Sequence, residues 1–208
     1  MTTPIERIRT YHRELTDIRR DLHAHPELSF QESRTSALVA DYLKKQGIET
    51  HTGIAKTGVV AVIPGKRNGA KGVALRADMD CLPMHELNTF PHKSKNEGRM
   101  HACGHDGHTT MLLGAARYLA ETRNFAGTAY LVFQPAEEGG GGGEVMVREG
   151  QFPGKTLRGL SILRRHLWWR GRYASRSRAS SGTAPRPSMS AVPEKKARDA
   201  RGGRGGYR

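Results

Sequence analysis

The chain has 208 residues and a mass of 22.9 kDa, room for one domain with a full core or one domain and a tail, but not for two large domains. Its two cysteines, Cys81 and Cys103, exclude a disulfide framework; no apolar run is long enough to span a membrane, and charges run through the N-terminal MTTPIERIRTYHRELTDIRRDLH where a signal peptide would be apolar, so a cytoplasmic protein is expected. The net charge of +14 sits almost wholly in residues 157–208, which hold fourteen Lys and Arg against Glu194 and Asp199, so the basicity belongs to the C-terminal segment.

Thr3 and Glu6 have capping-box spacing, Pro4 suits the first helical position, and Ile5, Ile8, Leu15, Ile18 and Leu22 recur at helical steps, which predicts one N-terminal helix with that face in the core. After HAHPELSF a second capping box, Ser29 and Glu32, opens a helix with Ala37, Leu38, Tyr42 and Leu43 as its apolar stripe and Gly47 just past its end. Two β-branched runs follow, from Gly58 and from Gly72, and the Asn68-Gly69 turn signal between them predicts a hairpin. Residues 81–103 lack periodicity and read as a long functional loop. Met111, Leu112, Ala115, Ala116 and Leu119 then mark a helix, Gly127-TAYLVFQ a strand buried on both faces, and Glu144–Arg148 a short helix. Alternating helices and strands argue an α/β layer architecture. Beyond Leu157 the Arg, Ala, Gly, Ser and Pro content offers little to bury, and disorder is expected.

Three constellations carry chemistry. Met100-His-Ala-Cys-Gly-His-Asp-Gly-His108 brings Cys103 and His105 together across one glycine, and thiolate plus imidazole is a transition-metal ligand set; a buried free cysteine beside surface histidines is the alternative. Glu137 and Glu138 fall directly after a buried strand, where catalytic carboxylates of α/β sheets collect, and adjacent carboxylates can divide metal binding from proton transfer; many such pairs are simply solvated. The glycines after them are either a flexible linker or a place where backbone packs close to the site. Asp78 and Asp80 end another strand, where ordinary turn chemistry is the alternative reading. Gly150–Thr156 misses the phosphate-loop spacing by one residue.

Four words in order resemble the M20 metallopeptidase family, and within it the amidohydrolase branch of hippurate, N-acyl-amino-acid and auxin-conjugate hydrolases. They are Arg19-Arg-Asp-Leu-His-Ala-His-Pro-Glu27, Leu75-Arg-Ala-Asp-Met-Asp-Cys-Leu-Pro83, Met100-His-Ala-Cys-Gly-His-Asp-Gly-His108 and Phe133-Gln-Pro-Ala-Glu-Glu-Gly139. Thr50-His-Thr-Gly-Ile-Ala-Lys-Thr-Gly-Val-Val60 resembles the hippurate-hydrolase group in particular. The resemblance implies a three-layer α/β, zinc-exopeptidase-like catalytic domain. It also implies Cys103, His105 and Glu138 as metal ligands, Glu137 as general base and Asp78 as the aspartate supporting the metal site. The implied chemistry is hydrolysis of the amide bond of a small N-acyl amino acid such as hippurate, using a pair of divalent ions, Mn or Zn, with Glu137 moving the proton from water to the departing amine.

The resemblance ends near residue 150. Family members continue into a strand ending Gly-x-His-Asn, a lid and dimerising domain, and a late histidine ligand, whereas here the text becomes Leu163-Arg-Arg-His-Leu-Trp-Trp169, in which His166 reads as incidental. The expectation is therefore an incomplete catalytic domain, residues 1–150, followed by a basic tail, 151–208, with the composition of a G+C-rich gene read out of frame. Cys103, His105 and Glu138 suffice for one weakly held ion rather than two, with negligible turnover. The competing readings are an inactive fragment and a nucleic-acid binder acting through the tail, the latter weakened by the lack of a motif there and of interleaved aromatics beyond Trp168, Trp169, Tyr173 and Tyr207. A membrane partner is not expected, and a homodimer belongs to the intact family enzyme.

Overall fold

The computed structural model describes residues 3–149. The order is α1 (Pro4–Arg9), α2 (His12–Ala24), α3 (Ser33–Lys45), β1 (Glu49–Ile54), β2 (Gly58–Pro64), β3 (Arg67–Asp78), α4 (His105–Thr122), β4 (Ala126–Gln134) and α5 (Gly142–Glu149). The Thr3–Glu6 capping box forms as predicted. The single N-terminal helix does not: it breaks at Thr10 and Tyr11, where Tyr11 turns into the core, its ring under the Arg117 guanidinium at 4.0 Å and its hydroxyl donating to Glu121. Burying that aromatic outweighs one continuous helical turn, and Ile5, expected inside, is exposed.

The second predicted capping box is also absent. Helix α3 starts at Ser33 with no side-chain cap, because Ser29 donates to Asp80 and the Glu32 carboxylate is buried against Thr57 and Ala136. Within α3 the core face is Thr35, Val39, Ala40, Tyr42 and Leu43; Ala37 lies on the exposed side, and in α4 Met111 does too.

The four strands lie in the order β1-β2-β4-β3. The predicted β2–β3 hairpin is overturned: β4 sits between them, antiparallel to β2 and parallel to β3. Strand β4 buries Leu131, Val132 and Phe133 and belongs inside the sheet, where both faces and both edges are covered, whereas β3, exposed along most of its length, takes the outer place. The weakly apolar β1, unforeseen from sequence, takes an edge beside β2.

Helices cover both faces of this mixed α/β sheet. On one, α3 and α4 pack Val39, Leu43, Leu112, Leu113 and Ala116 against Val59, Ala61, Ile63, Ala77, Ala129, Leu131 and Phe133, with Ile18 of α2 joining from behind. On the other, Met146 of α5 meets Ile54, Val60 and Val132. No helix among the described residues is long and apolar enough to cross a membrane. The expected tail, its boundary near residue 150 and His166 lie outside the described residues.

Candidate metal centre

Because β3 and β4 run parallel, in a register that sets Asp78 opposite Gln134, their carboxyl ends lie side by side. The chain leaves β3 as Asp78-Met-Asp80 and leaves β4 as Pro135-Ala-Glu-Glu138, so the second and third sequence constellations meet at one edge. The first arrives on the N-terminus of α4. Gly104, at φ +91°, caps that helix in the left-handed region and turns the chain between Cys103 and His105. Nothing would crowd a Cβ at Gly104, so backbone conformation alone demands the glycine.

His105 is buried and fixed by its Nδ1–H, which donates to the Asp80 carbonyl at 2.8 Å. That leaves Nε2 facing two carboxylates, Asp78 Oδ1 at 3.6 Å and Glu138 Oε1 at 3.8 Å. Cys103, His105 and Glu138 offer donor atoms within 4.8 Å of one another, and so do Asp78, His105 and His108. The three ligands expected from sequence are thus brought together, and Glu137 lies beside them on the same turn, its N–H donating to Asp80 Oδ1 at 3.0 Å. His108, to which its place in the sequence assigns no role, donates from Nδ1 to Asp78 Oδ1 at 2.7 Å.

The donor chemistry fits a divalent transition metal: thiol, imidazole and carboxylate converge, and the imidazole is held by its other nitrogen, the usual means of fixing tautomer and orientation in a ligating histidine. Both groups of three need His105 Nε2, and one imidazole nitrogen holds one ion, so the described residues supply one complete three-donor set at a time. Hydrogen bonding to Glu138, assisted by burial and the charges of Glu138, Asp78 and Glu137, raises the Cys103 thiol to about 11. At neutral pH the metal-free thiol is therefore protonated, and binding must expel that proton.

Asp78 and Asp80 have different surroundings. Asp78 is neighboured by Arg76 at 2.9 Å as well as by His105 and His108. Asp80, 1% exposed, is the anchor: its carboxylate accepts from the backbone of Glu137 and Glu138 and from Ser29 Oγ at 2.8 Å, and faces His105 Nδ1 at 3.3 Å. Burial alone would raise its carboxyl, but hydrogen bonding from His105, the two amides and Ser29 overrides it and brings it down to about 2. Sequence spacing could not show which aspartate faces which group; the anchoring bonds of Asp80 and Ser29 went unseen. The glycines after Glu138 are no free linker: a Cβ on Gly142 would lie 1.9 Å from the Pro135 carbonyl oxygen.

The long loop after Cys81 is tied down rather than loose. His23 of α2 bridges Asp106 and Glu86, each at 2.9 Å, joining the loop to the start of α4, while Lys95 N–H and Asn96 Nδ2 donate to the carbonyls of Ala24 and Pro26. Burial would lower the His23 pKa, but its hydrogen bonds to the two carboxylates prevail and raise it. Beside it His101 is 5% exposed and neither ring nitrogen has a hydrogen-bond partner among the described residues; burial pushes its pKa down to about 4, so it is neutral.

Comparison with known proteins agrees with this geometry. The family described as Peptidase family M20/M25/M40 matches residues 74–176, reaching past the expected boundary near residue 150. The hippurate hydrolase of Campylobacter jejuni is 54% identical over 139 residues, covering 67% of this chain and 36% of that enzyme. The N-acetyl-L-cysteine deacetylase of Bacillus subtilis is 47% identical over 146 residues, covering 70% and 35%. Among solved structures, the YXEP protein of Bacillus subtilis, a dinuclear metal binding peptidase from the M20 family, superposes with a TM-score of 0.66 at 42% identity, covering 71% of this chain and 42% of that one. The chain thus spans about a third of the length of the curated relatives it matches.

Proposed function

Since the chain belongs to peptidase family M20, with the amidohydrolases as relatives, we propose that it carries the metal-binding and proton-transfer half of an enzyme that hydrolyses the amide bond of small N-acyl amino acids. The convergence of Cys103, His105 and Glu138 beside Glu137 carries this reading. Cys103, His105 and Glu138 would hold a divalent ion, Mn or Zn, with Asp78 and His108 adjoining. When bound there, such an ion supplies Lewis acidity toward the acyl carbonyl oxygen and acidifies a water. Glu137 takes the proton of the attacking water and delivers it to the departing amine nitrogen, which a carboxylate can do by acting first as base and then as acid. Asp80 holds the Glu137 and Glu138 backbone and the His105 ring throughout. Hippurate is the favoured substrate type, by likeness to the Campylobacter enzyme. A cytoplasmic setting is part of this reading, supported by two free thiols.

Titration of the 208-residue chain with Zn2+ or Mn2+ tests the centre. One ion per chain is expected, lost in Cys103→Ser and retained in Glu137→Gln; a chain that takes up no ion, or a Cys103→Ser variant that binds as well as the parent, refutes the assignment. Turnover is expected to be slow, because the described residues supply only one full three-donor set at a time. Any glycine released from benzoylglycine should require added metal and vanish in Glu137→Gln, and release persisting without metal overturns the reaction class.

A further inference from the structure

Glu32 is 0% exposed, does not form the capping box its spacing to Ser29 predicts, and is not among the candidate metal ligands. Its Oε2 accepts from Thr57 Oγ1 at 2.6 Å and its Oε1 from the backbone N–H of Ala136 at 2.8 Å. Ala136 is the residue before the Glu137–Glu138 pair, and it sits at φ +52°, a left-handed conformation that a residue with a Cβ holds only when its surroundings over-determine it. The next two N–H groups, those of Glu137 and Glu138, both end on the Asp80 carboxylate. Three successive amides of the turn are therefore gripped by two buried carboxylates from different parts of the chain. Asp80 orients the two glutamates, but the bend that brings them to the strand end is made at Ala136, and there the bond comes from Glu32. Packing closes the same bend: the Ala136 carbonyl accepts from Gly142 N–H at 3.0 Å, and a Cβ on Gly140 would meet the Ala136 Cβ at 2.6 Å.

We propose that Glu32 is a positioning residue, whose buried carboxylate locks the left-handed Ala136 backbone and thereby aims Glu138 at the metal position and Glu137 at the reacting water. The metal part of this statement rests on the proposed function; the backbone part does not. Glutamine at position 32 keeps an oxygen for the Ala136 N–H and offers an amide N–H to the Thr57 hydroxyl, whereas alanine keeps neither. Glycine at position 136 adopts the left-handed bend without strain and so weakens the need for Glu32.

The experiment combines Zn2+ titration with amide hydrogen exchange on the full chain, comparing Glu32→Ala, Glu32→Gln, and Glu32→Ala in an Ala136→Gly background. Glu32→Ala should bind Zn2+ about tenfold more weakly, the size seen when an outer partner of a ligand is removed, and its exchange should accelerate at Ala136, Glu137 and Glu138 ahead of β2 and α3. Glu32→Gln should restore most of the affinity, and in the glycine background the loss should shrink severalfold. Glu32→Ala binding as tightly as the parent, exchange rising equally across β2 and α3, or an undiminished loss in the glycine background would each overturn the proposal. If Glu32→Ala does not fold, Thr57→Val carries the same comparison: faster exchange confined to residues 136–138 supports the proposal, and unchanged exchange overturns it. A parent chain that binds no Zn2+, while Glu32→Ala still frees those three amides alone, refutes the metal reading and leaves the backbone role standing.

Discussion

Replacing Asp80 by asparagine exchanges one carboxylate oxygen for an NH2 group and tests the central anchor of the site. Each carboxylate oxygen serves two donors: Oδ1 takes the Glu137 N–H and faces His105, while Oδ2 takes the Glu138 N–H and the Ser29 hydroxyl. An asparagine amide must turn its NH2 toward one of these pairs. Turning it toward Oδ2 costs least, because the Ser29 hydroxyl can swing to the Glu138 carbonyl at 3.3 Å, but the Glu138 N–H is then left facing a donor. The drop of the Asp80 carboxyl from 3.8 to about 2 corresponds to about 2.5 kcal/mol of folding free energy near neutrality. A buried donor without an acceptor costs a further ~1–3 kcal/mol, partly counted already in that figure, so Asp80→Asn should lose about 3 kcal/mol. The sign of the pH dependence follows from the depressed value: the stabilisation is complete above the ordinary carboxyl pKa of 3.8 and fades as pH falls through the folded value near 2. Urea unfolding followed by far-UV circular dichroism should show the full gap between parent and variant at neutral pH, and a closing gap as pH drops below 3.8. A loss under about 1 kcal/mol at neutral pH, or a gap that does not narrow in acid, would refute the view that this carboxylate holds the turn as an anion.

Phe133→Ala removes a fully buried ring between the sheet and its helices and should cost about 3–5 kcal/mol in the same assay. Gly142→Ala forces a methyl to within 1.9 Å of the Pro135 carbonyl; it should destabilise the chain by at least ~1–3 kcal/mol and weaken Zn2+ binding with it, as isothermal titration would show. His23 has a raised pKa, so the stability it lends is complete below the ordinary imidazole value of 6.5 and is lost as pH climbs through its higher folded value. His23→Gln should accordingly differ most from the parent in mildly acidic solution and converge with it in alkaline solution, measured by urea unfolding at both; a gap that widens with pH would show that His23 is held neutral.

Much of the candidate site was legible because its chemistry is local in sequence. The run from His101 to His108 contains two of the proposed ligands and the glycine that turns between them, and Glu137 and Glu138 follow a strand whose apolar letters announce its burial. The Thr3–Glu6 cap was legible for the same reason, since both partners lie within one helical turn. Ser29 and Glu32 have identical spacing and fail, because the Ser29 hydroxyl goes to the buried Asp80 carboxylate and the Glu32 carboxylate to the Thr57 hydroxyl and the Ala136 N–H, distant partners that tertiary packing supplies.

Tertiary structure decided the rest. A turn signal at Asn68-Gly69 is a preference of a few residues, whereas inserting β4 between β2 and β3 covers both faces and both edges of a strand that buries Leu131, Val132 and Phe133, and the larger burial prevails. That insertion makes β3 and β4 parallel and so brings Asp78, Asp80, Glu137 and Glu138 to a common edge. The sequence by itself picked out the side chains proposed here to bind a metal and to move a proton. Which of two aspartates anchors the turn, and which buried glutamate bends it, were set by contacts between residues 51 to 104 positions apart, where no periodicity in the chain reaches.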